Sequence, residues 1–316
     1  MVSATSRLAV VVVTHNNESD IETCLDSLVS PGLCADSQVI VRDCGSTDRT
    51  LEIVKAHPAI TQVIDGKNVG FGAACNDAVA HLKYAVDNIL ILNPDAALAF
   101  AIPELLAYVD RMGTFGCVGI RQLSFSKKLV WSWDQFPKPA LEWKKATDSS
   151  LLQRSPEGYT NDRRVDWVMG AFLLIPLDAF LSVGGFDERY FMFCEETDLA
   201  KRLADAGFPT YFVNAFHYLH DRSDKATVWR EVLRLNSRRE YDRRWLTPTE
   251  RLSCRVAHTY RWVRSYLRPA KPSDRRLALP RLLATWDLLH AVVPPTTNTT
   301  SRRGWDQVRF GFRRLA

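Results

Sequence analysis

Apolar runs alternate with segments of helical period through the first two thirds of the chain, and this alternation predicts an α/β domain on a mostly parallel sheet. Residues 8–13 (LAVVVV) form an unbroken, largely β-branched run, predicting a first strand buried on both faces. Ile21, Leu25 and Leu28 recur at helical spacing, and Pro31-Gly32 should end that helix. Residues 39–41 predict a second strand. It stops at Asp43-Cys44-Gly45-Ser46, where Ser46 or Thr47 is placed to cap a helix reaching His57. Residues 61–64 predict a third strand, followed by a glycine-containing turn over 68–72 and a helix from 73 to about 86. Residues 89–92 are wholly apolar and predict a central fourth strand.

Further along, residues 102–112 read as a helix and 116–120 as a strand. Residues 125–162 carry Trp131, Trp133 and Trp143 with Pro137 and Pro139 but no clear period, which suggests a long functional loop or hairpin. Residues 165–175 read as one strand through Met169-Gly170-Ala171, and 183–187 as a turn. A helix over 196–206 is closed by Gly207, and residues 210–213 form a last strand before His217 and His220. In open α/β sheets ligands bind beyond the carboxyl ends of the strands. Thr14, Asp43, Asn68 and Asp95 all fall at such ends or in the loops after them, so one crevice can gather all four.

Composition adds limits to this picture. At 316 residues and 46% hydrophobic content the chain can bury a large core, which excludes disorder throughout. Seven scattered cysteines without a Cys-x-x-Cys pair suggest neither a disulfide framework nor a zinc knuckle, and a reducing cytosol suits them. The first apolar run is too short for a signal-peptide core. The best spanning candidate, 277–293, is broken by Pro280, Arg281, Asp287 and His290, so no transmembrane segment is expected.

The formal charge of +5 hides an asymmetry: Lys+Arg against Asp+Glu is 19 to 28 up to Asp221, and 22 to 8 from Arg222 onward. An acidic body over 1–224 and a basic helical extension over 225–316 are expected from this shift. The extension calls for an anionic partner: a membrane surface, a lipid diphosphate or nucleic acid, although no nucleic-acid motif is present. Within it, Trp229, Val232, Leu233 and Asn236, then Tyr260, Trp262, Val263, Tyr266 and Leu267 among arginines, suit an interfacial helix on the inner face of the cell membrane.

The candidate chemistry is carboxylate chemistry. Asn93-Pro94-Asp95 places one acidic side chain just past a buried strand, where a divalent cation with hard oxygen ligands would neutralise charge on leaving phosphates; the same tripeptide is also an ordinary turn. Glu195, Glu196 and Asp198 crowd a helix start after the aromatic run 190–193. Repulsion and partial burial raise a carboxyl pKa there and poise a base. His217 and His220, three apart, have a spacing that can serve a metal. Asp43 can cap a helix or accept a nucleobase imide N–H.

In order along the chain, these stretches resemble family 2 glycosyltransferases over residues 8 to about 224. The matching segments are Val11-Val12-Val13-Thr14-His15-Asn16, Asp43-Cys44-Gly45-Ser46-Thr47-Asp48, Asn68-Val69-Gly70-Phe71-Gly72, Leu92-Asn93-Pro94-Asp95, Met169-Gly170-Ala171, Val183-Gly184-Gly185-Phe186-Asp187-Glu188, and Phe191-Met192-Phe193 running into Glu195-Glu196-Thr197-Asp198-Leu199. Within the family the chain is most similar to bacterial rhamnosyltransferases acting on polyprenyl diphosphate carriers.

The resemblance implies a GT-A fold and an inverting, metal-dependent transfer. The best expectation is L-rhamnose from dTDP-rhamnose to a polyprenyl-diphosphate-linked saccharide in cell-wall or surface polysaccharide synthesis, at the cytoplasmic side of the membrane. A UDP-dependent hexosyl, galactofuranosyl or N-acetylhexosaminyl transfer is the alternative; outside enzymes, it is an inactive binding module. It implies donor contacts at Thr14, Asn16, Asp43, Asn68, Asn93 and Asp95, and Mg2+ or Mn2+ on Asp95 and His220. Trp167, Met169, Gly170 and Glu195 would shape the sugar and acceptor pocket, with Glu196 as base and Asp198 in reserve. The chain departs from the family pattern at Glu196, where aspartate is usual, at Cys44, where asparagine is frequent, and at His15, where Tyr or Phe is commoner.

Overall fold

Residues 7–30, 32–34, 36–148, 156–221, 227–269, 272–291 and 310–311 are described by a computed structural model. The chain divides into two compact units. The first comprises Met1–Phe136, Pro156–Phe191 and Glu195–Arg222; the second comprises Pro137–Ser155, Met192–Cys194 and Ser223–Ala316.

In the first unit the elements open as β1 (Leu8–Thr14), α1 (Ile21–Val29), β2 (Gln38–Asp43), α2 (Thr50–Ala56), β3 (Gln62–Asp65), α3 (Phe71–Ala80) and β4 (Asn88–Leu92). They continue as β5 (Ala96–Leu98), α4 (Ile102–Val109), β6 (Cys117–Leu123), β7 (Leu129–Val130) and β8 (Trp133–Asp134). After α5 (Pro139–Thr147), which belongs to the second unit, come β9 (Arg163–Val165), β10 (Trp167–Val168), β11 (Phe172–Pro176), α6 (Leu177–Ser182), α7 (Glu195–Asp205) and β12 (Thr210–His220).

The main sheet runs β3-β2-β1-β4-β11-β6-β12-β5. Strands β3, β2, β1 and β4 are parallel, β11 is inserted antiparallel between β4 and β6, and β6 pairs β12 in parallel. Every residue of β1, β2 and β4 is buried, as their apolar runs require of strands covered on both faces. Register levels the strand ends: Thr14 pairs Asp43, Asp43 pairs Asp65, and Val12 pairs Leu92, so the polar residues after each strand emerge along one edge.

Several expected boundaries are corrected. The second helix begins only at Thr50, because the Ser46 hydroxyl bonds Asp43 and both Ser46 and Thr47 hold Asn16 instead of capping. The third helix stops at Ala80 rather than near 86. The reading of 165–175 as one strand fails: Met169-Gly170-Ala171 interrupts it, β10 leaves to pair with β8, and β11 joins the main sheet. The last strand runs on past Val213 to His220, with a bulge between Val213 and His217, so both histidines lie on β12 itself. Residues 125–162 hold β7, which folds back on β6, β8, which pairs β10, and helix α5, although residues 149–155 lie outside the described residues, as does Pro31.

The second unit is built from α5, α8 (Val228–Trp245), α9 (Pro248–Leu267) and α10 (Pro272–Thr285). Val232, Leu235, Trp262, Ala284 and Leu289 form its core. Trp229, Val232 and Leu233 on α8 and Trp262 on α9, expected to face lipid, are buried, Val232 and Trp262 within this core. α5 is tied in by Glu142, 3% exposed, which accepts from Arg238 at 3.1 Å and His258 at 2.9 Å. Burial alone would raise this carboxyl, but Arg238 and His258 outweigh it and hold it well below the usual range. Among the described residues no helix is long and apolar enough to cross a membrane.

Candidate active site

The loops after β1 and β2 are cross-linked into one floor. Cys44 N donates to Thr14 O at 2.8 Å, and the His15 ring lies 2.8 Å from Cys44 O. Asn16, with a left-handed φ of 56°, donates its N–H to Ser46 Oγ and accepts from Thr47 N at 2.7 Å. Thr14 Oγ1 donates to Asn17. Asp43 is fully buried, and its two oxygens accept from Ser46 N at 2.8 Å and Ser46 Oγ at 2.5 Å. Thr14, Asn16 and Asp43 are therefore brought together, with Asp43 already shaping the loop. Ser46 and Thr47, which the sequence offered as helix caps, complete this floor instead.

Asn68 Oδ1 accepts from Gly70 N at 3.1 Å and forms the turn into α3. Gly70 has φ +92°, and a Cβ there would collide with the Phe191 carbonyl, which accepts from Phe71 N at 2.9 Å. Gly72 is packed similarly, its virtual Cβ 2.9 Å from Phe186 Cβ and 3.6 Å from Glu195 Cβ. Glycines in this turn let it and the segment before α7 approach closely.

Asp95 follows β4, and its Oδ1 lies 3.1 Å from His220 Nε2; their side chains are 37% and 14% exposed. It lines an open pocket with Asp20, Thr23, Cys24, Ala96 and Phe125. Asn93 N donates to Ala171 O at 3.0 Å. Gln122 Nε2, a donor only, lies 2.7 Å from His220 Nδ1 and 2.9 Å from His220 O, while its Oε1 accepts from Tyr218 OH at 2.9 Å. Nδ1 is thus the acceptor and Nε2–H faces Asp95. Neither Gln122 nor Tyr218 was legible in the sequence, because only the β6–β12 register places them beside His220.

Two ligands about 2.1 Å from one octahedral cation stand about 3 Å apart, so the Asp95–His220 separation fits a shared divalent metal. Holding it would move the ring proton to Nδ1 and turn the Gln122 amide. Among the described residues no group of three or more metal-ligating side chains gathers, so the remaining positions would be left for phosphate oxygens and water.

The third part is the start of α7. Phe193 and Cys194 have φ of 72° and 67°, left-handed values that cost of order 1–3 kcal/mol each outside glycine. Glu195 is 5% exposed, Glu196 is half-buried, and each has an Oε2 shut off from solvent without a hydrogen-bond partner. Burial first, and Glu196 second, push the Glu195 carboxyl well above the usual range. Burial pushes Glu196 up to about 7, against backbone N–H groups at Glu196 and Thr197. A Cβ on Gly170 would sit 3.8 Å from Glu196 Cβ and 3.9 Å from its carboxyl carbon, so the missing side chain leaves open space over that group. Asp198 points elsewhere: it is fully buried and accepts from Arg202 Nε at 2.8 Å, while Arg202 Nη1 donates to Val183 O and Gly185 O.

Met169 N donates to Ser132 O at 2.9 Å, and Trp167 Nε1 to Gln135 O at 3.0 Å with its ring edge-on to Trp131 at 5.4 Å. The backbone bond from Asn93 to Ala171 and the contact of Gly170 with Glu196 link the two acidic motifs through Met169-Gly170-Ala171. A carboxylate paired with an imidazole and a carboxyl raised by burial are thus linked through this segment, an arrangement that could hold a cation at a leaving diphosphate and deprotonate an attacking hydroxyl.

Residues 9–166 match Glycosyl transferase family 2. The chain is similar to Rhamnosyltransferase WbbL of Escherichia coli (strain K12), 30% identical over 223 residues that cover 67% of this chain and 82% of that protein. It is also similar to the N-acetylglucosaminyl-diphospho-decaprenol L-rhamnosyltransferase of Mycobacterium tuberculosis (strain CDC 1551 / Oshkosh), 30% identical over 244 residues covering 69% and 77%. Among solved structures, the mannosyltransferase PcManGT of Pyrobaculum calidifontis, in complex with GDP-Man and Mn2+, superposes with a TM-score of 0.55 at 18% identity, covering 89% of this chain and 81% of that one. The fold is of the GT-A kind.

Proposed function

Because the chain belongs to glycosyl transferase family 2, we propose that this glycosyltransferase moves L-rhamnose from dTDP-rhamnose to a saccharide carried on a polyprenyl diphosphate, inverting the anomeric carbon. The observation that carries the mechanism is the pairing of Asp95, 3.1 Å from His220, with a half-buried Glu196 whose carboxyl group packs beside Gly170 and whose Oε2 has no hydrogen-bond partner.

Glu196 takes the proton of an acceptor hydroxyl. The hydroxyl oxygen attacks the anomeric carbon, and the bond from that carbon to the β-phosphate oxygen breaks, releasing dTDP. Asp95 and His220 would hold Mg2+ or Mn2+, which when bound supplies charge neutralisation at the leaving diphosphate. The loops carrying Thr14, Asn16, Asp43 and Asn68 hold the base and ribose, and Asn93 lines the donor side. Trp167, Met169, Gly170 and a protonated Glu195 shape the sugar and acceptor pocket. Asp198, engaged with Arg202, anchors α7 on the 183–185 turn rather than acting as base.

Transfer by the full chain to N-acetylglucosaminyl diphosphate on a short polyprenol, assayed with dTDP-L-rhamnose and with UDP-hexoses, tests the reading. Product is expected from dTDP-rhamnose alone. Efficient transfer from a UDP-sugar instead would replace rhamnose with that sugar.

The extension brings the enzyme to its lipid-borne acceptor. Leu252, Val256, Tyr260, Val263 and Leu267 are exposed and follow one face of α9, among Arg251, Arg255, Arg264 and Arg268. Apolar side chains rimmed by guanidinium groups suit an anionic bilayer surface. The full chain should float with phosphatidylglycerol liposomes, and a Val256→Asp, Val263→Asp pair should abolish flotation; a wild-type chain left at the bottom of the gradient would defeat this role.

A further inference from the structure

Arginines are crowded around a single carboxylate where α8, α9 and α10 meet. Arg234 Nη2 on α8 donates to Glu231 Oε2 at 3.0 Å, and Arg281 Nε on α10 donates to the same oxygen at 2.9 Å. Trp262 on α9, 4% exposed, has two guanidiniums near its ring, Arg281 at 4.9 Å and Arg261 at 4.7 Å from the centroid. All three cations therefore lie within a patch on the order of 10 Å across, the size of a few guanidinium–π contacts end to end.

The patch is short of negative charge. Glu231 is shared by Arg234 and Arg281, and Asp274 reaches Arg281 only at 3.9 Å. Arg261 makes no ion pair among the described residues. Glu142, the next acid to act on it, is already engaged by Arg238 and His258. Burial first, and then Arg234 beside it, lower the Arg261 guanidinium to about 10, the behaviour of a cation placed among like charges. A partly buried guanidinium without a counter-ion is costly unless an anion completes it. Arg234, with 40% of its side chain exposed, keeps the patch open to solvent.

We infer that Arg234, Arg261 and Arg281 form a binding site for a diphosphate group, the diphosphate of the polyprenyl-linked acceptor. Three planar forks match the several oxygens and the multiple charge of a diphosphate, which a single lysine-type point charge would not. One turn before Arg234, Arg230 stands over the Phe193 ring at 5.8 Å, and Phe193 precedes Glu195 by two residues in the chain. The inference rests on the lipid-linked acceptor proposed above, but its test is a binding measurement that uses neither donor nor turnover.

Titration calorimetry of the full chain in EDTA with saturating dTDP, to keep the donor site out of the reading, uses farnesyl diphosphate and inorganic pyrophosphate as probes. Both should bind. Arg234→Gln and Arg261→Gln should each weaken farnesyl diphosphate at least tenfold, and Arg261→Lys, which keeps charge without the fork, should fall between wild type and Arg261→Gln. Flotation with phosphatidylglycerol liposomes should be unchanged in these variants. Unaltered diphosphate affinity in the partly exposed Arg234→Gln variant, whose thermal melting checks its fold, overturns the site. Parallel loss of liposome flotation would reassign the patch to lipid headgroups and equally overturn it. Intact binding with no rhamnosyl transfer would refute the proposed reaction and leave the site standing.

Discussion

Replacing Glu196 with glutamine is expected to lower kcat by about 10³-fold while leaving donor affinity within a few-fold, in the range that losing a positioned general base costs. Glutamine keeps the volume beside Gly170 and removes only the ability to accept a proton. The pH dependence gives a second reading. Burial pushes the Glu196 carboxyl up to about 7, so wild-type kcat should rise with pH through that value and level off above it; the residual rate of Glu196→Gln should lack this limb. Stability should move the opposite way. The folded pKa lies above the unfolded one, so the folded state holds this proton more firmly, and the associated stability, complete below the unfolded pKa near 4.3, is lost as pH rises through about 7. Glu196→Gln should consequently melt higher than wild type at pH 8, and the gap should close below pH 5. A variant retaining most of its activity would remove Glu196 from the chemistry and return the search for a base to its neighbours.

Asp95→Ala is expected to abolish transfer to a comparable or larger extent, at least about 10³-fold in kcat/KM, since a metal on the leaving diphosphate contributes several kcal/mol and each 1.36 kcal/mol is tenfold. Its direct signature is metal-linked binding. Thermal stabilisation by dTDP-rhamnose with Mn2+, set against EDTA, should be large in wild type and nearly lost in the variant. The fold should persist, because Asp95 is over a third exposed and His220 keeps its bonds from Gln122. Metal-dependent protection undiminished in Asp95→Ala would show that the cation, if used, is held elsewhere.

Much of this architecture was legible in residue order. The strands of the first unit announce themselves because a strand covered on both faces must be apolar without interruption, and the runs at 8–13 and 89–92 satisfy that directly. Polar residues that break such runs mark the sheet edge where ligands bind, which is how Thr14, Asp43 and Asp95 stood out. Turn glycines were visible too, although only the packing of Gly70 on Phe191 explains why a side chain is excluded there.

The roles of individual polar side chains were not legible, because each depends on a partner far along the chain. His220 reads only as one of two histidines three apart until β12 pairs with β6 and brings Gln122, 98 residues away, to its ring. Glu195, Glu196 and Asp198 look alike in sequence, yet helical geometry turns Asp198 to Arg202 and leaves Glu196 against Gly170. Trp229, Val232 and Leu233 looked like a lipid-facing stripe because periodicity reveals that a helix has an apolar side but not what covers it; here all three are buried, Val232 in the core of the second unit, and α9 presents the exposed stripe. Local pattern suffices for elements, since hydrogen bonding and burial act over a few residues. Protonation, pairing and exposure were decided only by the folded chain, since electrostatic and packing energies depend on distance in space, which the sequence does not carry.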